Sequence, residues 1–168
     1  IGAGVASQLL PKIGPKPLMI PGLIIGGLAQ LGLSRITPDT SYVTHVLPVF
    51  LILSFGIALV FIPVQSTALH DIGNQDAGVA SAMINTSQQV GGSLGTALLN
   101  TVAATGTLNY IAANQDMGER LQPFALTHGF SLAFIAGSLF FFIGAIVLYF
   151  TINIGKESLV EVEGAITH

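Results

Sequence analysis

The sequence predicts an all-α integral membrane protein, a bundle of transmembrane helices. Only 8% of its 168 residues are Asp, Glu, Lys or Arg, whereas a soluble domain carries about a quarter. Hydrophobic residues make up 51% of the chain. The few charges gather in short interruptions between long apolar stretches, which is the arrangement that a chain solvated by lipid requires.

Apolar stretches follow one another along residues 1–152. Residues 1–10 have the composition of a helix end, and Pro11 and a basic turn follow. Complete spans are predicted at about 18–34, 46–66, 77–104 and 128–152, each long enough to cross a hydrocarbon core of about 30 Å. Residues 153–168 form a polar C-terminal tail. Because the chain opens inside an apolar stretch rather than with Met, we expect it to be a fragment of a longer protein.

Two pairs of glycines have the spacing of helix-packing positions. Gly22 and Gly26 lie four residues apart in the span at 18–34, and Gly91 and Gly95 repeat this spacing in the span at 77–104. Small residues at this spacing let the backbone of another helix approach closely. We therefore expect packing, rather than binding, at all four.

The distribution of basic residues predicts the orientation. If the spans alternate across the bilayer, Lys12, Lys16 and Lys156 lie on one side, and Arg35 and Arg120 lie on the other. Cytoplasmic loops carry the excess of Lys and Arg. The count of three against two predicts a cytoplasmic C-terminal tail.

The span at 77–104 has a polar face that needs a physical explanation. At 100° per residue, one arc of about a third of the circumference holds amides, hydroxyls and a glycine, while the opposite arc is aliphatic. This arc contains Ser81, Asn85, Gln88, Gln89, Gly92, Thr96 and Asn100. Unsatisfied polar groups facing lipid are costly, so we expect the arc to face protein or a water-filled cavity.

Two interpretations of this polar arc remain open. Its side chains could form hydrogen bonds between helices, each worth about 1 kcal/mol. Alternatively, they could form the wall of a substrate cavity and offer uncharged donors and acceptors. The candidates for the cavity are Ser81, Asn85, Gln88, Gln89 and Thr96.

Other kinds of site are disfavoured. The chain has no Cys, and its four His share no ligand spacing, so no metal site is expected. Residues 91–95 follow no predicted strand and lack the Lys of a phosphate-binding loop, and no Ser, His and acid arrangement indicates an enzyme or a cofactor. A net charge of −3 disfavours nucleic acid as a partner. No Asp or Glu lies well inside a span, so an acid that couples transport to protons would lie outside this chain.

Residues 76–97 carry a family resemblance. The run from Asp76 to Ala97, with Asn85-Thr86-Ser87-Gln88-Gln89-Val90-Gly91-Gly92 at its centre, resembles the penultimate-helix signature of the fourteen-spanner drug:proton antiporters of the major facilitator superfamily. Pro63-Val64-Gln65 is also similar to that family, and residues 10–16 resemble a degenerate form of its basic cytoplasmic interhelix motif. Many of these antiporters have Arg where this chain has Gln88.

The resemblance implies the last third of a transporter, from the end of helix ten through helix fourteen. It implies proton-driven export of drugs or antibiotics, as small amphipathic and often cationic substrates, across the plasma membrane by alternating access. The implied partners are the lipid bilayer and the missing N-terminal helices. Two alternatives stay open: a transporter of the same fold for a peptide, sugar or siderophore, and a membrane scaffold or subunit that transports nothing.

Overall fold

The computed structural model describes residues 2–68, 73 and 76–151 and contains helices without a strand in that part of the chain. The five α-helices are α1 (Gly2–Ile13), α2 (Lys16–Leu33), α3 (Leu47–Ala68), α4 (Ala77–Ala113) and α5 (Leu121–Thr151). A π-helical turn at Tyr42–Val46 leads into α3, and a 3-10 turn at Gln115–Arg120 joins α4 to α5. The predicted tail at 153–168 and most of the loop around His70 lie outside the described residues.

A tight turn separates the first two helices. α1 continues through Pro11 to Ile13, and Gly14 then reverses the chain with φ of 81°. The Gly14 N–H donates to the Leu10 carbonyl at 2.9 Å, which is the left-handed helix ending that glycine favours. Pro15, with φ of −71°, starts α2 directly after this turn, because its ring fixes a helical φ.

The hairpin of α4 and α5 is longer than the predicted spans. α4 runs to Ala113 and α5 starts at Leu121, so most of the predicted loop at 105–127 is helical. At 1.5 Å per residue the two helices are roughly 55 Å and 47 Å long, whereas the hydrocarbon core is about 30 Å thick. Hydropathy predicts only the part that matches lipid, and the hairpin therefore extends beyond the bilayer.

The helices pack in the order α1, α3, α2, α5, α4. α3 and α4 are consecutive in the chain but barely touch each other. Gly26 lies against Phe141, and Gln30 lies against Gly137. Residue numbers thus rise along α2 while they fall along α5, so the two helices are antiparallel.

Glycines set the distance between helix axes on both sides of α2. A Cβ atom on Gly22 would lie 2.8 Å from the Gly56 carbonyl oxygen of α3. A Cβ atom on Gly26 would lie 2.7 Å from Cδ1 of Phe141 in α5. Both distances are below van der Waals contact, so α2 sits between α3 and α5 with no room for a larger residue at either position.

The outer surface of the bundle is apolar. Large hydrophobic side chains such as Leu51, 64% exposed, and Phe150, 80% exposed, project from the helices, as lipid-facing side chains do. Among the described helical segments, three are long and apolar enough to cross a membrane, Lys16–Leu33, Tyr42–Thr67 and Gln115–Thr151. α4 is not among these three because amides and hydroxyls lower its hydropathy. The protein is an all-α, multi-pass membrane protein.

Candidate functional site

The polar arc of α4 is open in the structure. Asn85, Gln88, Gln89 and Thr96 are exposed, and Ser81 is half-buried. α4 packs against α5 mainly through its C-terminal half, where Gly106 is buried and lies beside Gly129. The predicted cavity residues therefore share one helix face, and no described helix covers most of that face.

Amides and hydroxyls of α4 differ in how their hydrogen bonds are satisfied. The Thr86 hydroxyl donates to the Ala82 carbonyl at 2.8 Å, and the Ser93 hydroxyl donates to the Gln89 carbonyl at 2.8 Å. Within the described residues, the side-chain amides of Asn85 and Gln88 make no such bond. A hydroxyl in a helix can donate a hydrogen bond to a backbone carbonyl of the preceding turn. The side-chain amides without such a bond keep two donors and an acceptor for another partner.

An open, mostly apolar face lies on the other side of α4. It includes Val79, Met83, Thr86 and Val90, and none of the five predicted cavity residues belongs to it. This apolar face and the polar arc are thus two separate faces of the same helix.

The predicted packing glycines have different surroundings. Gly22 and Gly26 are buried against α3 and α5, as described above. Around Gly91 and Gly95, no described atom outside the backbone of α4 and the adjacent residues lies within 4 Å of the position a Cβ atom would take. A close helix crossing at Gly91 and Gly95 stays a prediction, and it would involve a helix outside the described residues.

The charged residues lie at the ends of the bundle. Lys12 and Lys16 flank the turn between α1 and α2, and the Lys16 ammonium lies 4.7 Å from the centroid of the Tyr149 ring near the end of α5. Arg35 and Arg120 are at the opposite end, where α2 ends and α5 begins. The carboxylates of the described residues lie between helices or at a helix start; these are Asp39, Asp76, Asp116 and Glu119.

One contact at the Arg35 end was not anticipated from the sequence. The rings of Tyr110 in α4 and His128 in α5 have centroids 5.0 Å apart. The predicted spans place Tyr110 in the connection between residues 104 and 128, and His128 at the first residue of the following span. No local sequence pattern pairs Tyr110 with His128, because the contact forms between two different helices.

Comparison with known proteins gives consistent matches. Residues 1–96 match the family model of the Major Facilitator Superfamily. The chain is 39% identical over 110 residues to the puromycin resistance protein pur8 of Streptomyces alboniger, a match that covers 64% of this chain and 22% of that protein. It is 32% identical over 143 residues to the lincomycin resistance protein LmrB of Listeria monocytogenes, covering 85% of this chain and 30% of that protein.

A third relative has an export function in its name. The chain is 36% identical over 107 residues to the cephamycin export protein CmcT of Amycolatopsis lactamdurans, which covers 64% of this chain and 22% of that protein. The chain thus spans less than a third of the length of these relatives. Since the family model matches more than half of the chain, and the helices and their apolar surface agree with it, the chain belongs to the major facilitator superfamily.

Proposed function

We propose that this chain is the C-terminal part of a drug or antibiotic exporter of the plasma membrane, and that the polar arc of α4 forms part of its transport cavity. The observation that carries the proposal is the free amide face on α4 in a bundle whose remaining outer surface is apolar. The names of the relatives, which refer to resistance to puromycin and lincomycin and to cephamycin export, support export as the direction of transport.

The chemistry of the arc fits an amphipathic substrate. Asn85, Gln88 and Gln89 offer both donors and acceptors without a formal charge. Such groups can bind substrates of different shapes through hydrogen bonds, while the adjacent aliphatic residues contact apolar parts of the substrate. Because Gln88 carries no charge, it offers a charged substrate hydrogen bonds and not an ion pair.

We also propose that proton entry drives export. The acidic side chain that binds and releases the proton would lie in another part of the transporter. The four described carboxylates, Asp39, Asp76, Asp116 and Glu119, lie outside the helix interiors. A membrane-embedded acid is the usual group for proton coupling. We further propose that the end of the bundle with Lys12 and Lys16 is cytoplasmic, in agreement with the excess of basic residues expected there.

The proposal is tested by export of ethidium, a fluorescent cationic dye, from energised cells that express the full-length protein. Gln88→Leu and Asn85→Leu are compared with wild type at equal abundance in the membrane. Loss of one neutral hydrogen bond to the dye, worth about 0.5–1.5 kcal/mol, raises the dye concentration for half-maximal export about two- to tenfold.

Thr86→Val is the matched control, because it also removes a polar group from α4. Its hydroxyl already bonds to the Ala82 carbonyl, and Thr86 belongs to the apolar face of α4 rather than to the polar arc, so dye export should stay near wild type. If all three variants export normally, the polar arc is not in the transport path and its amides join helices instead. If wild type fails to export the dye while it moves a peptide or sugar, drug export itself is refuted.

A further inference from the structure

A second cavity, of about 220 Å³, lies at the Arg35 end of the bundle. It is open to the outside and is lined by the connection after α2, the C-terminal part of α4 and the N-terminal part of α5. The residues that matter for its chemistry are Thr37, Tyr110, Phe124, Thr127, His128 and Ser131. The Ser131 hydroxyl donates to the Ser34 carbonyl, so this lining residue is level with the C-terminal end of α2.

This cavity is distinct from the polar arc of α4. Gln88 and Tyr110 are separated by about 33 Å along the helix axis, at 1.5 Å per residue. The cavity therefore lies near the turn between α4 and α5, far along α4 from Gln88.

Most polar groups around the cavity already have partners. The Thr127 hydroxyl donates to the Pro123 carbonyl at 2.7 Å, and the Thr37 and Thr40 hydroxyls bond to each other at 2.9 Å. The exposed His128 imidazole packs on the Tyr110 ring and makes no side-chain hydrogen bond within the described residues. As a neutral ring it has one donor and one acceptor nitrogen, and these are the groups left for a ligand.

The shape and the aromatic walls restrict what can bind. Pockets for drug-sized molecules are about 300–1,000 Å³, so a cavity of about 220 Å³ holds a single ring system. Tyr110 and His128 are tilted by 40°, and Phe124 adds a further aromatic surface. Offset and edge-to-face contacts with such rings favour an aromatic ligand over a saturated one.

We propose that this cavity is a second ligand site, which binds one aromatic ring with a hydroxyl or amino substituent. In this site the substituent bonds to the His128 imidazole, and the ring packs between Phe124 and Tyr110. The ligand can be a free small molecule or the aromatic end of a larger one whose remainder extends outward.

The test uses the full-length protein in lipid nanodiscs and the reaction of its histidines with diethyl pyrocarbonate. Peptide mass spectrometry gives the modification rate of His128, with added N-acetylhistidine in the same solution as the reference. The probe is benzyl alcohol, and cyclohexylmethanol is the matched control because it has the same size and hydroxyl but no aromatic ring. At a probe concentration of twice its dissociation constant, bound benzyl alcohol should slow the reaction of His128 about threefold.

Two variants separate the site from general effects of the alcohols on the bilayer. Phe124→Ala removes a wall of the cavity and should abolish the protection by benzyl alcohol. Leu126→Ala removes an exposed side chain of α5 outside the cavity and should leave the protection unchanged. Two results with the wild-type protein would each overturn the proposal: equal protection by both alcohols, or no protection by either.

Discussion

The crossing of α4 and α5 depends on Gly129, and Gly129→Ala tests this contact. The added Cβ atom would collide with the Thr107 hydroxyl and the Ala103 carbonyl oxygen, and it would lie 3.1 Å from the Thr107 backbone nitrogen. The Thr107 hydroxyl is itself held by the Ala103 carbonyl at 2.8 Å. The obstacle is therefore backbone and a fixed hydroxyl, so the two helices must separate.

Two opposing contributions determine how much Gly129→Ala changes the free energy of unfolding. Overpacking costs about 1–3 kcal/mol, and the backbone contact places this site toward the upper end. The greater helix preference of Ala over Gly offsets up to about 1 kcal/mol. We expect a net loss of about 2 kcal/mol, which lowers the folding equilibrium constant roughly thirtyfold.

The assay is unfolding of the purified full-length protein by increasing sodium dodecyl sulfate in mixed micelles, followed by circular dichroism. Gly144→Ala is the control on the same helix, because its Cβ atom would meet Leu23 Cδ2 at an ordinary 3.8 Å. That variant should be as stable as wild type or slightly more stable. If Gly129→Ala and Gly144→Ala unfold at the same detergent fraction, the α4–α5 crossing does not require glycine at position 129.

Two further substitutions can be measured in the same titration. Gln30→Met should stabilise the protein by about 1 kcal/mol, because the Gln30 Oε1 atom is buried without a partner among the described residues and its desolvation is uncompensated. A loss of stability would mean that this oxygen has a partner in the intact protein. Tyr149→Leu should cost about 0.5–1 kcal/mol through loss of the Lys16 contact, whereas Tyr149→Phe should keep it, and equal losses in both variants would contradict the cation–π interaction.

Much of the secondary structure could be predicted because hydropathy and glycine spacing are local properties. α2 at Lys16–Leu33 lies close to the predicted 18–34, and α3 at Leu47–Ala68 lies close to 46–66. The end of α4 could not be located in this way, since hydropathy reports where the chain matches lipid and not where helical hydrogen bonds stop. Asn109 is polar, yet it continues the helix beyond the apolar segment.

The sequence alone could not predict which helices pack against one another. α2 packs on α5 rather than only on its chain neighbours, and no periodicity within α2 specifies which helix lies against Gly26. The polar arc of α4 could be predicted from the sequence because its residues all lie on one helix. The contact between Tyr110 and His128 arises only when the hairpin folds back, so it depends on the turn at Gln115–Arg120 and not on either helix alone.

The low hydropathy of α4 has a consequence for biogenesis. As the chain leaves the ribosome, α4 reaches the translocon before α5, and its amides make release into lipid as an independent segment unfavourable. Its described contacts are mainly with α5, the helix synthesised next. We therefore expect α4 to stay beside the translocon until α5 emerges and the two helices partition into the bilayer as a pair.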